Sequence, residues 1–196
     1  MLKSIKSFFN YRRLKDSAYE FLFEDYNGNE VVVFDTETTG LNPNKDEVLS
    51  IGAVVIRDNV IVTSETFEVF LKPSMAISSK SIEIHRIRPC DLEDAVDPQT
   101  GIDAFLRFIG GRTLVGYYLE FDVAMINRYI KPWLGIVLPN KQVEVSALYF
   151  DKKIGLIPQG NIDLRFDTIL RDLHVPNMGQ HNAVNDAIMT AMIYLK

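Results

Sequence analysis

Asp35 and Glu37 stand two positions apart in the stretch Val31–Gly40, VVVFDTETTG, directly after four apolar residues. On a strand, residues i and i+2 face the same way, so both carboxylates can converge on one point. Two ionised carboxylates brought together repel, and a divalent cation relieves the repulsion; hard Mg²⁺ or Mn²⁺ suits an all-oxygen donor set. Taken alone, the pair is also what a solvated strand end looks like. Thr38, Thr39 and Gly40 turn the chain immediately afterwards, and the glycine lets the backbone bend sharply or pass close to a ligand. Asp122 follows the apolar run TLVGYY, residues 113–118, and opens a helical pattern. There a carboxylate can face the carboxyl end of a sheet, or simply cap the helix. HNAVNDA, residues 181–187, adds His181 and Asp186 beside the last helix, where either residue alone reads equally as a cap or as surface decoration.

These residues need elements to carry them. EVVVFDTE reads as a short buried strand by its Val and Phe content. Residues 48–73 read as two long β segments joined by a two-residue turn at Asp58-Asn59, so three successive strands make an antiparallel meander. Further on, 98–111 is expected as a helix ending at glycines, 113–118 as a short strand, and 121–131 as a helix with Pro132 just past its end. Helices over 163–174 and 183–195 follow, the last rich in Ala, Ile and Met. An N-terminal helix is predicted over 11–25, from Leu14, Ala18, Phe21 and Leu22 at helical spacing. With no internal repeat or linker, the pattern is one α/β domain with a mixed sheet.

Composition sets outer bounds. The 196 residues, 47% of them hydrophobic, suffice for one domain with a real core. The single cysteine, Cys90, excludes an internal disulfide, and the N-terminus lacks the apolar run of a signal peptide. No stretch approaches the roughly 18 to 20 apolar residues of a membrane span. A cytoplasmic protein with no membrane association is therefore expected. Net charge is -5, but the first fifteen residues carry five bases and no acid, which leaves -10 for the remainder. An acidic body argues against gripping long nucleic acid by counterion release, so a phosphate substrate would need a metal or a local basic patch.

FDTETTGL at 34–41, FD at 121–122 after LVGYYLE, and HNAVNDA at 181–187 together resemble, in order and spacing, the three motifs of the DnaQ-like, DEDD-type 3′-5′ exonuclease family. The resemblance spans roughly residues 30–196. His181 stands five residues before Asp186, as in the His-containing branch; the tyrosine branch would need Tyr at 182, which is Asn. The resemblance implies a ribonuclease H-like α/β fold, a central mixed five-stranded sheet flanked by helices, here with an extra N-terminal helix. It divides the chain into a basic, aromatic extension, 1–28, and an exonuclease domain, 29–196, like that of DNA polymerase III epsilon. It implies a two-metal phosphodiester hydrolase using Mg²⁺ or Mn²⁺, with Asp35, Glu37, Asp122 and Asp186 on the metals and His181 as general base. Thr38, Thr39, Gly40, His85, Arg86 and Tyr118 are the expected substrate contacts. Single-stranded DNA or RNA 3′ ends are the expected substrates, with a polymerase or repair protein as possible partner.

Two segments stand apart from the motifs. SIEIHRIRP, 81–89, resembles the family's segment with an Ile-His pair, and its Arg86 and Arg88 are candidate phosphate contacts, while His85 also reads as structural. Where family members commonly have His-Asn before the second-motif Asp, this chain has Tyr117-Tyr118, with Glu120 adding a carboxylate nearby. Those tyrosines suit either core packing or a ring offered to a nucleotide. The N-terminal aromatics suit a helix packed on the domain or a basic arm for a substrate or partner. Trp133, His174 and Cys90 carry no functional signal. The competing expectation is a catalytically silent nucleic-acid or protein-binding module. Retention of all four acids and the His favours the enzyme, because an uncompensated carboxylate cluster costs stability without its metals.

Overall fold

The structure is a computed structural model and describes residues 5–156 and 161–196; residues 1–4 of the N-terminal extension, Lys3 among them, lie outside the described residues. A five-stranded sheet has the order β3-β2-β1-β4-β5, with β1 Glu30–Thr38, β2 Val48–Arg57, β3 Val60–Phe70, β4 Thr113–Gly116 and β5 Gln142–Glu144. The meander β1 to β3 is antiparallel, as its sequence predicts, and Asp58 and Asn59 form the connecting turn with φ of 51° and 62°. Positive φ at both central residues is what a two-residue hairpin with the right strand twist requires. β4 and β5 pair in parallel, β4 against Val31–Val33 of β1.

β1 is apolar without interruption from Val31 to Phe34 because both of its faces are covered there. Val32 and Phe34 enter one core with Ala53, Val55 and Leu114; Val33 enters the other with Val54, Ile56 and Val115. Helices α3 (Pro98–Ile109) and α4 (Leu119–Leu134) cover the first face. Helices α5 (Val145–Leu156), α6 (Phe166–Asp172) and α7 (Ala183–Tyr194) cover the second. By strand alternation, Asp35 and Glu37 continue the Val33 face toward α7, while Thr36 continues the Phe34 face toward α4. A short α2 (Ser79–His85) stands beside the carboxyl end of β1, its Ser81 hydroxyl donating to the Thr38 carbonyl (3.2 Å).

Some elements depart from the sequence reading. Instead of a helix over 11–25, α1 covers Ile5–Tyr11 and a 3₁₀ helix covers Ser17–Phe23. Asp16 interrupts the helix by accepting from the Ala18 N–H (2.9 Å), and the Lys15 N–H leaves the local chain for the Leu134 carbonyl (3.0 Å). Tyr19 and Leu22, three apart, then face the core together, as a 3₁₀ spacing allows. α4 does not stop before Pro132 but runs to Leu134 and ends at Gly135, φ 78°. Lys15 supports that end, its Nζ donating to the Pro132 carbonyl at 2.9 Å. The strand expected over 113–118 ends at Gly116, and the helix expected over 163–174 is the shorter α6.

Gly52, paired with Asp35 across β1 and β2, sets how closely α7 can approach. A Cβ there would collide with the backbone of Ala183 and Val184 at the start of α7. Gly52→Ala should therefore lower unfolding free energy by about 1 to 3 kcal/mol, the usual cost of overpacking, read as a shift of the urea midpoint. An unchanged midpoint would mean that α7 is not held against the sheet in this way.

Candidate active site

At the carboxyl end of β1, three segments distant in sequence bring four acids together. Asp122, in the first turn of α4, is 3% exposed, and its Oδ1 accepts from both the Thr36 N–H (3.1 Å) and the Thr36 hydroxyl (2.5 Å). Asp186 sits in the first turn of α7, which Asn182 caps by accepting from the Asn185 N–H (3.0 Å). Its Oδ2 accepts from the His181 N–H (2.9 Å), pinning His181 in a left-handed conformation, φ 65°. Glu37, His181 and Asp186 each offer a ligand atom, and these atoms all lie within 4.8 Å of one another.

The electrostatics follow from burial and mutual repulsion. Burial pushes the Asp35 carboxyl well above the ordinary carboxylate range, with Asp122, Glu37 and Asp186 adding to it. Glu37 is raised to about 8, first by burial and then by Asp186 and Asp122. Asp122 is raised to about 7 by burial, against the pull of its Thr36 hydrogen bonds, and Glu144 adds to the rise. Asp186 is raised to about 6 by burial, opposed by the His181 N–H. None of the ion pairs among the described residues involves these acids. The buried Asp186 Oδ1 has no hydrogen-bond partner among the described residues. Oxygen donors in excess, one of them orphaned, with no Lys or Arg paired to them among the described residues, fit a divalent metal.

The remaining predicted residues divide into turn-builders and cleft-liners. Thr38 donates to the Gly40 carbonyl (2.8 Å), Thr39 exchanges hydrogen bonds with Glu47, and Gly40 leaves space for the Asp46 carboxylate. His85 is buried, with both ring nitrogens engaged. The Ile87 N–H donates to Nδ1 (3.0 Å), so the ring proton sits on Nε2, facing the Ser81 hydroxyl at 2.8 Å. His85 therefore reaches the site through Ser81 and the Thr38 carbonyl. Arg86 is exposed in a left-handed conformation, φ 60°, and lines a cleft of about 440 Å³ with His85, Gln180 and His181. Arg88 is engaged with Asp91 instead.

Tyr117 lines a smaller adjoining cleft of about 180 Å³ with Asp35, Gln180, His181 and Asp186, packs on Phe166, and donates to the Leu164 carbonyl (3.0 Å). Tyr118 is 61% exposed and stacks on Phe121. Glu120 is exposed to solvent; the extra carboxylate that acts on Asp122 is Glu144, at the end of β5. Sequence reasoning missed Glu144, Ser81 and Thr36. Only Thr36, lying between two candidate ligands, carried a signal that could have pointed to it.

Residues 32–194 match the family model described as Exonuclease. The chain is 35% identical over 171 residues to the PolC-type DNA polymerase III of Caldanaerobacter subterraneus subsp. tengcongensis, covering 85% of this chain and 11% of that protein. It is 27% identical to the DNA polymerase III subunit epsilon of Aquifex aeolicus, covering 84% and 78%. The chain thus spans about a tenth of the length of the PolC-type polymerases that it matches. Among solved structures, cell-death related nuclease 4 superposes with a TM-score of 0.73 at 14% identity, covering 86% of this chain and 63% of that one. Escherichia coli exonuclease I in complex with a dT13 oligonucleotide gives 0.68 at 16% identity, covering 85% and 40%. These structures share the ribonuclease H-like fold, a mixed five-stranded sheet flanked by helices. With most of its length inside the family match and its motif acids gathered at one strand end, the chain belongs to the Exonuclease family of DEDD nucleases.

Proposed function

We propose that the chain is a metal-dependent 3′-5′ exonuclease acting on single-stranded nucleic acid, with Asp35, Glu37, Asp122 and Asp186 holding two Mg²⁺ or Mn²⁺ ions and His181 as general base. The observation that carries this reading is the gathering of four acids with raised proton affinity, without a Lys or Arg partner among the described residues, beside an exposed imidazole. Bound divalent ions would supply water activation and neutralise charge on the departing oxygen. The chain's own part is positional. β1 sets Asp35 and Glu37 toward α7, and Thr36 fixes Asp122 from the other face of the same strand. The His181 backbone is tied to Asp186, which holds its ring at the junction of the two clefts, where the imidazole can take a proton from an attacking water.

Substrate would approach along the two clefts. Arg86, unpaired among the described residues, suits a backbone phosphate, and the exposed Tyr118 ring suits a base. His85, Thr38, Thr39 and Gly40 shape this wall of the site. The relatives named as DNA polymerase III and its epsilon subunit favour DNA and a polymerase partner. No helix among the described residues is long and apolar enough to cross a membrane, and a cytoplasmic setting accords with such a role.

With 5′-labelled single-stranded DNA and RNA oligonucleotides and Mg²⁺ or Mn²⁺, stepwise shortening from the 3′ end is expected, and EDTA should stop it. Asp35→Ala should abolish cleavage and His181→Ala slow it about 10²- to 10⁴-fold. Cleavage by Asp35→Ala at the wild-type rate would refute the assignment, while oligonucleotide binding without cleavage under any metal would point to a silent module.

The raised carboxyls also give a pH signature. In EDTA the folded protein retains protons that the unfolded chain has released, from about pH 4 to about pH 8, so stability should fall as pH rises through that window. Millimolar Mn²⁺ should flatten the dependence, because metal replaces the protons and binds only the folded state. A melting temperature that rises with pH in EDTA would contradict the cluster.

A further inference from the structure

Every α-helix begins with backbone N–H groups that lack intrahelical partners, and a short polar side chain at the N-cap usually takes one of them. α4 departs from this pattern where placement matters most. Its N-cap is Tyr118, in a left-handed conformation with φ 56° and ψ 34°, and the tyrosine side chain makes no capping bond. Four residues later comes Asp122, whose position the carboxylate cluster depends on.

The missing acceptor comes from another strand. Glu144 ends β5, in register with Gly116 of β4, so its carboxylate arrives beside the β4–α4 turn. Its Oε2 accepts from the Leu119 N–H (2.9 Å). Its Oε1 accepts from the Ser146 N–H (2.9 Å) and the Ser146 hydroxyl (2.7 Å), in the first turn of α5. One carboxylate thus closes the amino ends of two helices, a favourable place for negative charge. The turn is tight: a Cβ at Gly116 would lie 2.8 Å from the Leu119 side chain, so this glycine lets the helix start close to the strand.

We propose that Glu144 is a positioning residue that sets Asp122 by capping α4 from β5, supplying across the sheet what the side chain at position 118 does not supply locally. Asp122 then hangs between two anchors. Thr36 grips its Oδ1 from β1, and Glu144 fixes the helix that bears it. The role in catalysis rests on the exonuclease reading; the role in placing Asp122 does not.

Amide hydrogen exchange separates the two. The Thr36 N–H donates to Asp122 itself, outside the Val31–Val33 stretch that pairs with β4, so its protection reports whether Asp122 is in place. In metal-free Glu144→Ala, and in Glu144→Leu in case the alanine variant fails to fold, both Leu119 and Thr36 should exchange about tenfold faster than in the wild type, since neither side chain offers an acceptor. Val54, in the centre of β2, serves as the reference for global stability and should be unchanged. In the same variants, half-saturating Mn²⁺, read from thermal shift without nucleic acid, should rise about tenfold, the usual scale for loss of a residue that orients a metal ligand. If Leu119 loses protection while Thr36 keeps it, or if both keep it, the proposal is wrong. A wild-type protein that cleaves no oligonucleotide would defeat the exonuclease reading, and the Thr36 amide would still decide the role of Glu144.

Discussion

Four carboxylates crowded into a poorly solvated pocket repel one another, and the rest of the architecture is arranged to hold them there. Burying ionised carboxylates without partners costs several kcal/mol each, by the general cost of desolvating charge. The chain answers by mounting them on elements that cannot retreat. β1 is flanked by β2 and β4 and covered on both faces, so Asp35 and Glu37 are fixed by Val32, Val33 and Phe34 behind them. Asp122 and Asp186 each lie in the first turn of a helix and accept backbone N–H groups. Neither the Asp35 nor the Glu37 carboxylate accepts a hydrogen bond from a described residue, so these two depend most on protons or metal for compensation.

The central strand and the hairpin were legible because their signals are local. An apolar run of strand length and an Asp-Asn pair able to adopt positive φ need no tertiary context. The motif acids were legible as a set, since no one of Asp35, Asp122 or Asp186 distinguishes itself from a cap or a surface residue. α5 and β5 were not legible. β5 has three residues, and α5 spreads Leu148, Tyr149, Phe150 and Ile154 around its circumference, so no apolar stripe marks a buried face. The N-terminal segment misled for the opposite reason: its spacing fits an α-helix locally, but Asp16 and the contact of Lys15 with the end of α4 impose a break and a tighter turn.

Tyr117 and Tyr118, adjacent in sequence, have opposite fates. At the strand end Tyr117 turns inward, ties the 164–166 segment to the cleft wall and brings its ring beside Asp35 and His181. Tyr118, in its left-handed conformation, turns out onto Phe121. The phenol at 118 makes no capping bond, and the shape of the turn leaves the adjacent carboxylate on β5 to meet the exposed Leu119 N–H. Glu144 thus belongs to the support of the site although it lies outside all three motifs.

The N-terminal segment closes the far end of the molecule. Tyr19, Leu22 and Phe23 are buried in the core shared with α3 and α4; Tyr19 packs edge-on against Trp133 and donates to Asp103 (2.5 Å). Asn10 exchanges two hydrogen bonds with the backbone of Val137, and Gly135 lies against the Arg13 carbonyl. At about 1.5 to 3 kcal/mol per buried large side chain, these contacts are comparable with the whole net stability of a small domain. The family model begins at residue 32, inside β1, but the buried core reaches back to Tyr19, Leu22 and Phe23, so a chain cut at residue 32 would be missing part of its own interior.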